Sequence, residues 1–197
     1  MITFIYDNVR MPGNIGTMFR NGDLLCSNAD KIRHVVITPK ISTQNNKKSS
    51  IRMIVLDLIL RFASFIGFDL KMKDENLYNE YTLSFNSRVK KSISRFACFC
   101  KNGKYSEVIY DPIDVSYFLE DSKVWILDNQ INSTDINNIP KIEGNNVFII
   151  GSEKDGISDM FQSKGYECIN IPTRKGISIN VSCSHAILCT KINSMIS

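Results

Sequence analysis

Short apolar runs alternate with helical periods along most of this chain, and this alternation limits the folds open to it. Helical patterns follow the first run, at about 14–27, and the last run, at about 179–194. The alternation predicts an α/β domain with a mainly parallel sheet. Five runs are typical of short buried strands: 2–6, 34–38, 123–128, 146–151 and 167–172.

Composition is that of a globular protein with a modest basic excess. The chain has 197 residues, 43% of them hydrophobic, and a net charge of +4. One domain of this length can bury a sizeable core, and the charge is compatible with a polyanionic partner. Six cysteines without a C-x-x-C pair and only two histidines do not favour a zinc site, so we predict no metal and reduced thiols.

The longest apolar stretch, 51–68, contains Arg52, Asp57 and Arg61. Three charges make a membrane span improbable, and the spacing favours a helix with a wide apolar face. That face fits either core packing or a dimer interface. The polar segment 40–50 before it is typical of a loop. Because the sequence begins directly with a strand pattern, we expect a soluble cytoplasmic protein, with an organellar form left open.

The first of three unusual loops is "DNVRMPGNIGTMFRNGD" at 7–23. Pro12 and Gly13 are typical of a turn, after which Asn14 could cap a helix that carries Arg20. A helix cap with a surface arginine explains these residues as well as a ligand site does.

The second loop is "IIGSEKDGISDMF" at 149–161. A strand ends at Gly151, a turn carries Glu153, and Ser158 could cap the next helix. The loop matches neither the P-loop pattern nor G-x-G-x-x-G, which argues against an ordinary nucleotide site. Glu153 is either a solvated turn residue or a carboxylate that orients an arginine.

The third loop is "IPTRKGISINVSCSHAIL" at 171–188, where Ser178 and Asn180 precede a helix with an apolar face. Asn180 is unusual so early in a helix unless its amide has a partner near the terminus. His185 is more simply a packed residue than a catalyst. All three loops follow predicted strands, at the edge of a parallel sheet where ligands bind.

Together the three loops resemble the signature motifs of the SpoU/TrmH branch of the SPOUT methyltransferases. The first motif, N-x-G/S-x-x-x-R, is matched by 14–20, and the second, G-x-E-x-x-G-I/L-S, by "GSEKDGIS" at 151–158. The third, I-P-M followed by S-L-N-V-S, is matched by "IPTRKGISINVS" at 171–182. The resemblance covers about 1–40 and 85–197, where 86–99 looks like the family segment before the third strand.

This resemblance implies a single SPOUT domain over 1–197, with a family-atypical insertion at about 41–84. Its fold would have helices on both faces of the sheet and a C-terminal deep trefoil knot. It also implies a homodimer that transfers a methyl group from S-adenosyl-L-methionine to a ribose 2′-oxygen of rRNA or tRNA. A catalytically inactive RNA-binding or assembly protein on the same fold is the alternative, since Thr173 replaces a usual methionine and the third loop is one residue short.

Site residues carried over from the motifs fall into two groups. The resemblance assigns catalysis to Asn14, Arg20, Glu153, Ser178 and Asn180. It assigns cofactor binding to Ile150, Gly151, Ser152, Glu153, Gly156, Ile171, Pro172, Gly176, Ser178 and Asn180.

RNA binding has a further sequence argument in the segment 87–104, which holds six Lys/Arg, no acidic residue, and interleaved Phe96 and Phe99. Such a stripe can neutralise phosphates and stack on bases, although a solvated helix face explains it equally well. The predicted RNA contacts are Arg10, Arg20, Arg88, Lys90, Lys91, Arg95, Arg174 and Lys175.

Overall fold

The computed structural model describes residues 1–26, 31–39, 71–97, 106–112, 114–129, 133–152, 155–174 and 177–196, with the side chains of 71–97 limited to 79–95. By internal contacts the chain divides into two compact units, Met1–Pro39 with Asn86–Ser197, and Lys40–Phe85. The single domain with an insertion at 41–84 stays a prediction.

Helices and strands alternate in the first and last parts of the first unit, whereas its middle part has four strands in succession with no α-helix among the described residues between them. In chain order the elements are β1 (Ile2–Tyr6), α1 (Pro12–Leu25), β2 (Ile32–Val36), α2 (Lys71–Ala97), β3 (Glu107–Tyr110), β4 (Lys123–Leu127), β5 (Thr134–Asp135), β6 (Asn146–Ile150), α3 (Asp159–Gln162), β7 (Glu167–Asn170) and α4 (Val181–Ile196). Helix α2 begins in the residues of the second unit and ends in those of the first.

Seven strands form one sheet in the order β3-β2-β1-β6-β4-β7-β5. Every pairing is parallel, and Ile5 of β1 is in register with Val35 of β2 and Ile149 of β6. The carboxyl ends of β6, β4 and β7 therefore lie side by side, although these strands are far apart in the sequence. A ligand site is expected beyond that edge.

Both faces of the sheet are covered, which explains why β1 is buried at all five positions rather than at alternate ones. On one face Ile5, Ile126 and Ile149 pack with Phe161 of α3 in a buried cluster. On the other face the ring of Phe4 lies 4.5 Å from that of His185, between centroids.

Helices α1 and α4 pack against each other on that second face. The side-chain amide of Asn21 donates a hydrogen bond of 2.9 Å to the carbonyl of Ser182, in the first turn of α4. Gly22 permits a close approach, because a Cβ there would stand 2.7 Å from Cε1 of the buried His34. The two loops that precede these helices are thereby fixed relative to each other.

Several sequence predictions need correction. The second strand is Ile32–Val36 rather than 34–38, and β3 and β5 were not predicted. Helix α1 begins at Pro12, so the prediction that Asn14 caps it is wrong. Ser158 does stand at the N-cap of α3, but its hydroxyl makes no capping hydrogen bond.

Among the described residues no helix is long and apolar enough to span a bilayer. The segments 40–50 and 51–68, predicted as a loop and an amphipathic helix, lie outside those residues.

Candidate functional site

A pocket of about 400 Å³ opens at the carboxyl ends of β4, β6 and β7, within the size range of small-molecule sites. The first turn of α4 and the segment before it close one side. The described residues that line it are Leu127, Asp128, Asn129, Ile150, Gly151, Ser152, Asp155, Gly156, Ile171, Thr173, Ser178, Ile179, Val181 and Ser184.

The loop after β6 forms one wall of this pocket as a tight closed turn. Ser152 and Gly156 exchange two backbone hydrogen bonds, of 3.2 and 3.0 Å, and the Ser152 hydroxyl accepts a third from the Asp155 N–H at 2.9 Å. Gly156 has a φ of +65°, which favours glycine. Gly151 packs directly on it, since a Cβ at Gly151 would stand 2.5 Å from the Gly156 carbonyl carbon and oxygen.

The first loop is tied to this turn at two points. The buried carboxylate of Asp7 accepts a hydrogen bond of 2.6 Å from the Ser158 N–H. Further along, the guanidinium Nε of Arg10 lies 2.8 Å from a carboxylate oxygen of Asp155. Two of the three predicted loops are therefore held together by charged side chains.

Asn180 is the N-cap of α4, which explains its place at the start of the helix. Its side-chain oxygen accepts hydrogen bonds from the Ser182 N–H at 2.9 Å and the Ser182 hydroxyl at 2.6 Å. Its own carbonyl accepts from the backbone N–H groups of Cys183 and Ser184. The cap fixes the direction in which the preceding residues, Ser178 among them, face the pocket.

The predicted cofactor residues are brought together in part. Six line the pocket: Ile150, Gly151, Ser152, Gly156, Ile171 and Ser178. Pro172 and Asn180 belong to the same loop without lining it, whereas Glu153 and Gly176 lie outside the described residues. These assignments stay predictions as regards the ligand.

Of the predicted catalytic residues, Asn14 and Arg20 lie on α1 and are half-buried, and neither lines the pocket. Arg20 directly precedes Asn21, the residue bonded to the first turn of α4. Glu153, the predicted partner of Arg20, lies outside the described residues.

Eight described residues of the pocket wall are not among the predicted site residues: Leu127, Asp128, Asn129, Asp155, Thr173, Ile179, Val181 and Ser184. The last four belong to the third loop. Leu127 and Asp128 end the predicted strand 123–128 and Asn129 follows it, so the rule that ligands bind at carboxyl ends of strands could have found them. Asp155 sits inside the second motif but carries no signal of its own, because its role depends on Arg10.

Of the predicted RNA contacts, Arg88, Lys90, Lys91 and Arg95 are exposed along α2. The Lys90 ammonium lies 5.2 Å from the centre of the Tyr110 ring, and the remaining three follow a helical spacing. Arg174 is exposed near the third loop, and Lys175 lies outside the described residues.

A buried polar cluster lies behind the site, between β1, β2 and α4. The Tyr6 hydroxyl is 2.6 Å from Nδ1 of His34 and 3.5 Å from Nε2 of His185. Burial lowers the pKa of His34 to about 3, and burial together with the neighbouring His34 lowers the pKa of His185 well below its usual value. Both rings are therefore neutral at pH 7, which confirms that His185 is a packed residue.

Because the folded state disfavours the charged rings, we expect stability to fall in acid. The contribution is complete above pH 6.5 and is lost as the pH falls, since the unfolded chain then binds protons that the folded chain excludes. The expected loss from His34, whose pKa in the fold is about 3, is about 2 kcal/mol at about pH 5, and His185 adds a loss in the same direction. Asp23 offsets part of it, because burial raises its pKa and its protonated form is favoured in the fold. Urea unfolding at about pH 7.5 and pH 5 measures the difference, and equal midpoints would contradict the burial of both neutral rings.

The fold and the pocket define a parallel α/β protein with a ligand site at the carboxyl ends of its central strands. A model of the SpoU rRNA Methylase family matches residues 59–190, about two thirds of the chain, and the chain belongs to that family. The matched range includes the second and third loops and begins after the first. A search of curated proteins found no significant match.

Solved structures share the fold. A TrmH-family protein from Porphyromonas gingivalis aligns with a TM-score of 0.59 at 15% identity, over 98% of this chain and 59% of that chain. The SpoU methyltransferase AviRb from Streptomyces viridochromogenes, in complex with AdoMet, gives 0.57 at 13% identity, over 98% and 59%. A structure concerned with the 2-OH methylation of C/U34 on tRNA gives 0.57 at 12% identity, over 98% and 93%. This chain spans about three fifths of the first two proteins.

Proposed function

We propose that this protein is an RNA 2′-O-ribose methyltransferase that uses S-adenosyl-L-methionine and acts on rRNA or tRNA. The observation that supports this most directly is the pocket itself, because nine of its fourteen described lining residues lie in 151–158 and 171–182, the stretches that match the second and third motifs. One structural relative binds AdoMet, and another concerns 2-OH methylation.

The residues present fit that cofactor. A flat purine and ribose need a pocket with small residues on one wall, which Gly151 and Gly156 supply. The hydroxyls of Ser152 and Ser178, with nearby backbone groups, can hydrogen-bond to the ribose and the amino acid. The carboxylates of Asp128 and Asp155 give the lining a negative charge, which suits a ligand that carries a sulfonium.

A bound cofactor would supply an electrophilic methyl group on a positively charged sulfur, which would leave as a neutral thioether. The protein then has two tasks: to place the 2′-hydroxyl in line with that methyl group and to accommodate its proton. Arg20 would stabilise the negative charge that develops on the oxygen, or help a neighbouring phosphate to remove the proton. Asn14 and Glu153 would position Arg20, and Ser178 and Asn180 would shape the meeting point of cofactor and ribose.

The homodimer, the trefoil knot and the cytoplasmic location belong to the same proposal. Substrate choice would come from 41–84, from the dimer surface or from a partner protein.

Calorimetric titration with S-adenosylmethionine and mass analysis of nucleosides test the proposal together. We expect binding of the cofactor by the purified protein, and methylated riboses in total RNA from cells that carry the gene but not from cells that lack it. Methylated bases instead of riboses would contradict the ribose assignment. A folded protein that binds RNA but no cofactor would identify the catalytically inactive alternative.

The exposed basic residues of α2 should contribute to RNA affinity. Replacing Arg88, Lys91 and Arg95 by alanine removes three charges from one exposed side of the helix. Because phosphate contacts release counterions, we expect weaker RNA binding and a shallower salt dependence, with a slope reduced by about two to three units. Filter binding at several salt concentrations measures both.

As a control, Lys164→Ala removes one exposed charge that is not on α2. This variant should leave the slope of RNA affinity against salt concentration nearly unchanged. An unaltered slope in the triple variant would exclude α2 from the RNA-binding surface.

A further inference from the structure

The charge of the pocket wall depends on one ion pair. Two carboxylates, Asp128 and Asp155, line the pocket, and its described lining contains neither lysine nor arginine. Asp155 has an arginine partner, because Nε of Arg10 lies 2.8 Å from its carboxylate. Arg10 thus neutralises one of the two negative charges that a bound ligand would meet.

The position of Asp155 rests on more than Arg10. Its backbone N–H is bonded to the Ser152 hydroxyl, and the backbone bonds between Ser152 and Gly156 close the turn on either side. Removing the guanidinium should therefore leave the carboxylate at the pocket wall, with its charge uncompensated. The Arg10–Asp155 ion pair therefore affects the charge of the pocket wall at Asp155 more than the shape of the wall.

Arg10 is also open to a second anion. Its side chain is 40% exposed, and the recorded contact uses Nε, whereas the two terminal nitrogens carry four further N–H donors. A guanidinium in this state is suited to a phosphate group, which it binds through paired hydrogen bonds. Since exposed ion pairs contribute little free energy, a phosphate can compete with Asp155 for Arg10.

We propose that the Arg10–Asp155 ion pair couples RNA binding to cofactor choice. A backbone phosphate that binds Arg10 draws charge away from Asp155, so the pocket becomes more negative when RNA is present. S-adenosylmethionine carries one more positive charge than its demethylated product, so the pocket then favours the methyl donor over the product. This inference rests on the proposed function, and Arg10 and Asp155 act in it as positioning residues.

Calorimetric titration with S-adenosylmethionine and with its demethylated product tests the coupling. The quantity compared is the dissociation constant of the product divided by that of S-adenosylmethionine. Arg10→Gln should raise this ratio about two- to fivefold, because Asp155 loses its counter-charge. Asp155→Asn should lower it by about the same factor. The double variant should return close to the wild type. A role in shape alone would alter both affinities equally and leave the ratio unchanged.

A matched control exists at the other end of the strands. Arg33 and Glu107 form an exposed ion pair of 2.6 Å between β2 and β3, near their amino ends. Arg33→Gln and Glu107→Gln should not move the ratio. A short oligouridylate, added as a phosphate source, should raise the ratio in the wild type and leave it unchanged in Arg10→Gln.

Two outcomes overturn the coupling, and they are distinguishable. If the wild type binds both ligands but Arg10→Gln and Asp155→Asn keep its ratio, the coupling is wrong and the proposed function stands. If the wild type binds neither ligand, the proposed function is wrong and the coupling with it.

Discussion

Replacing Arg20 by alanine should remove most methylation of RNA and leave affinity for S-adenosylmethionine nearly unchanged. The proposed guanidinium acts on charge that develops at the ribose oxygen, so its loss affects the transition state more than the bound cofactor. A rate loss on the order of a hundredfold to a thousandfold is expected. Transfer of a radiolabelled methyl group to total RNA from cells that lack the gene measures the rate, and calorimetry measures the affinity.

Two further variants sharpen that result. Arg20→Lys should recover only part of the rate, because an ammonium keeps the charge but lacks the planar pair of donors. Arg33→Ala removes a guanidinium near the amino end of β2 and should methylate at close to the parental rate. If Arg20→Ala methylated RNA at the parental rate, the catalytic assignment of Arg20 would be wrong.

The central strands could be predicted from sequence because the fold buries both of their faces. A strand such as β6, with all five residues buried, leaves a continuous apolar run whose limits are easily seen. Strand β3 consists of the four residues "EVIY", of which the first is exposed and the others half-buried, and β5 has only two residues, so neither leaves a comparable run. An apolar run in the sequence indicates a strand only where the strand is buried, and β3 and β5 are partly exposed.

In helix α1 the sequence predicts the helix but the wrong residue for its N-cap. Asn14 was predicted as a cap because asparagine is a frequent N-cap residue, but Pro12 is itself favourable at the first helical position. The helix therefore starts two residues earlier, and Asn14 lies inside its first turn. The opposite holds for Asn180, where the requirement for a partner near the terminus correctly indicated a cap.

The pocket wall was predicted only at the second and third loops, although the end of β4 was also a candidate under the rule for carboxyl ends of strands. Asp128 follows β4, and nothing in the sequence says that β4 lies between β6 and β7, since this is a property of the strand order. Asp155 acquires its role through Arg10, which is 145 residues earlier in the chain. Contacts between residues so far apart in the chain depend on the order of the strands in the sheet, which the periodicity of apolar residues does not reveal.

Replacing Gly151 by alanine should damage the pocket more than any other small change in its wall. The new Cβ would stand 2.5 Å from the carbonyl carbon and oxygen of Gly156 and 2.9 Å from Cδ1 of Ile157. The Gly156 backbone cannot retreat without breaking its two hydrogen bonds to Ser152. We therefore expect the free energy of unfolding to fall by about 1–3 kcal/mol and cofactor affinity to fall by about tenfold or more.

Gly13→Ala is the matched control, because a Cβ at that helical position meets nothing within 4 Å. Alanine is the better helix former, so this variant should be as stable as the parent or slightly more stable, with unchanged cofactor affinity. Urea unfolding and calorimetry of the two variants separate a general effect of glycine replacement from the clash. Parental affinity in a folded Gly151→Ala protein would mean that the turn after β6 is not the wall against which the cofactor binds.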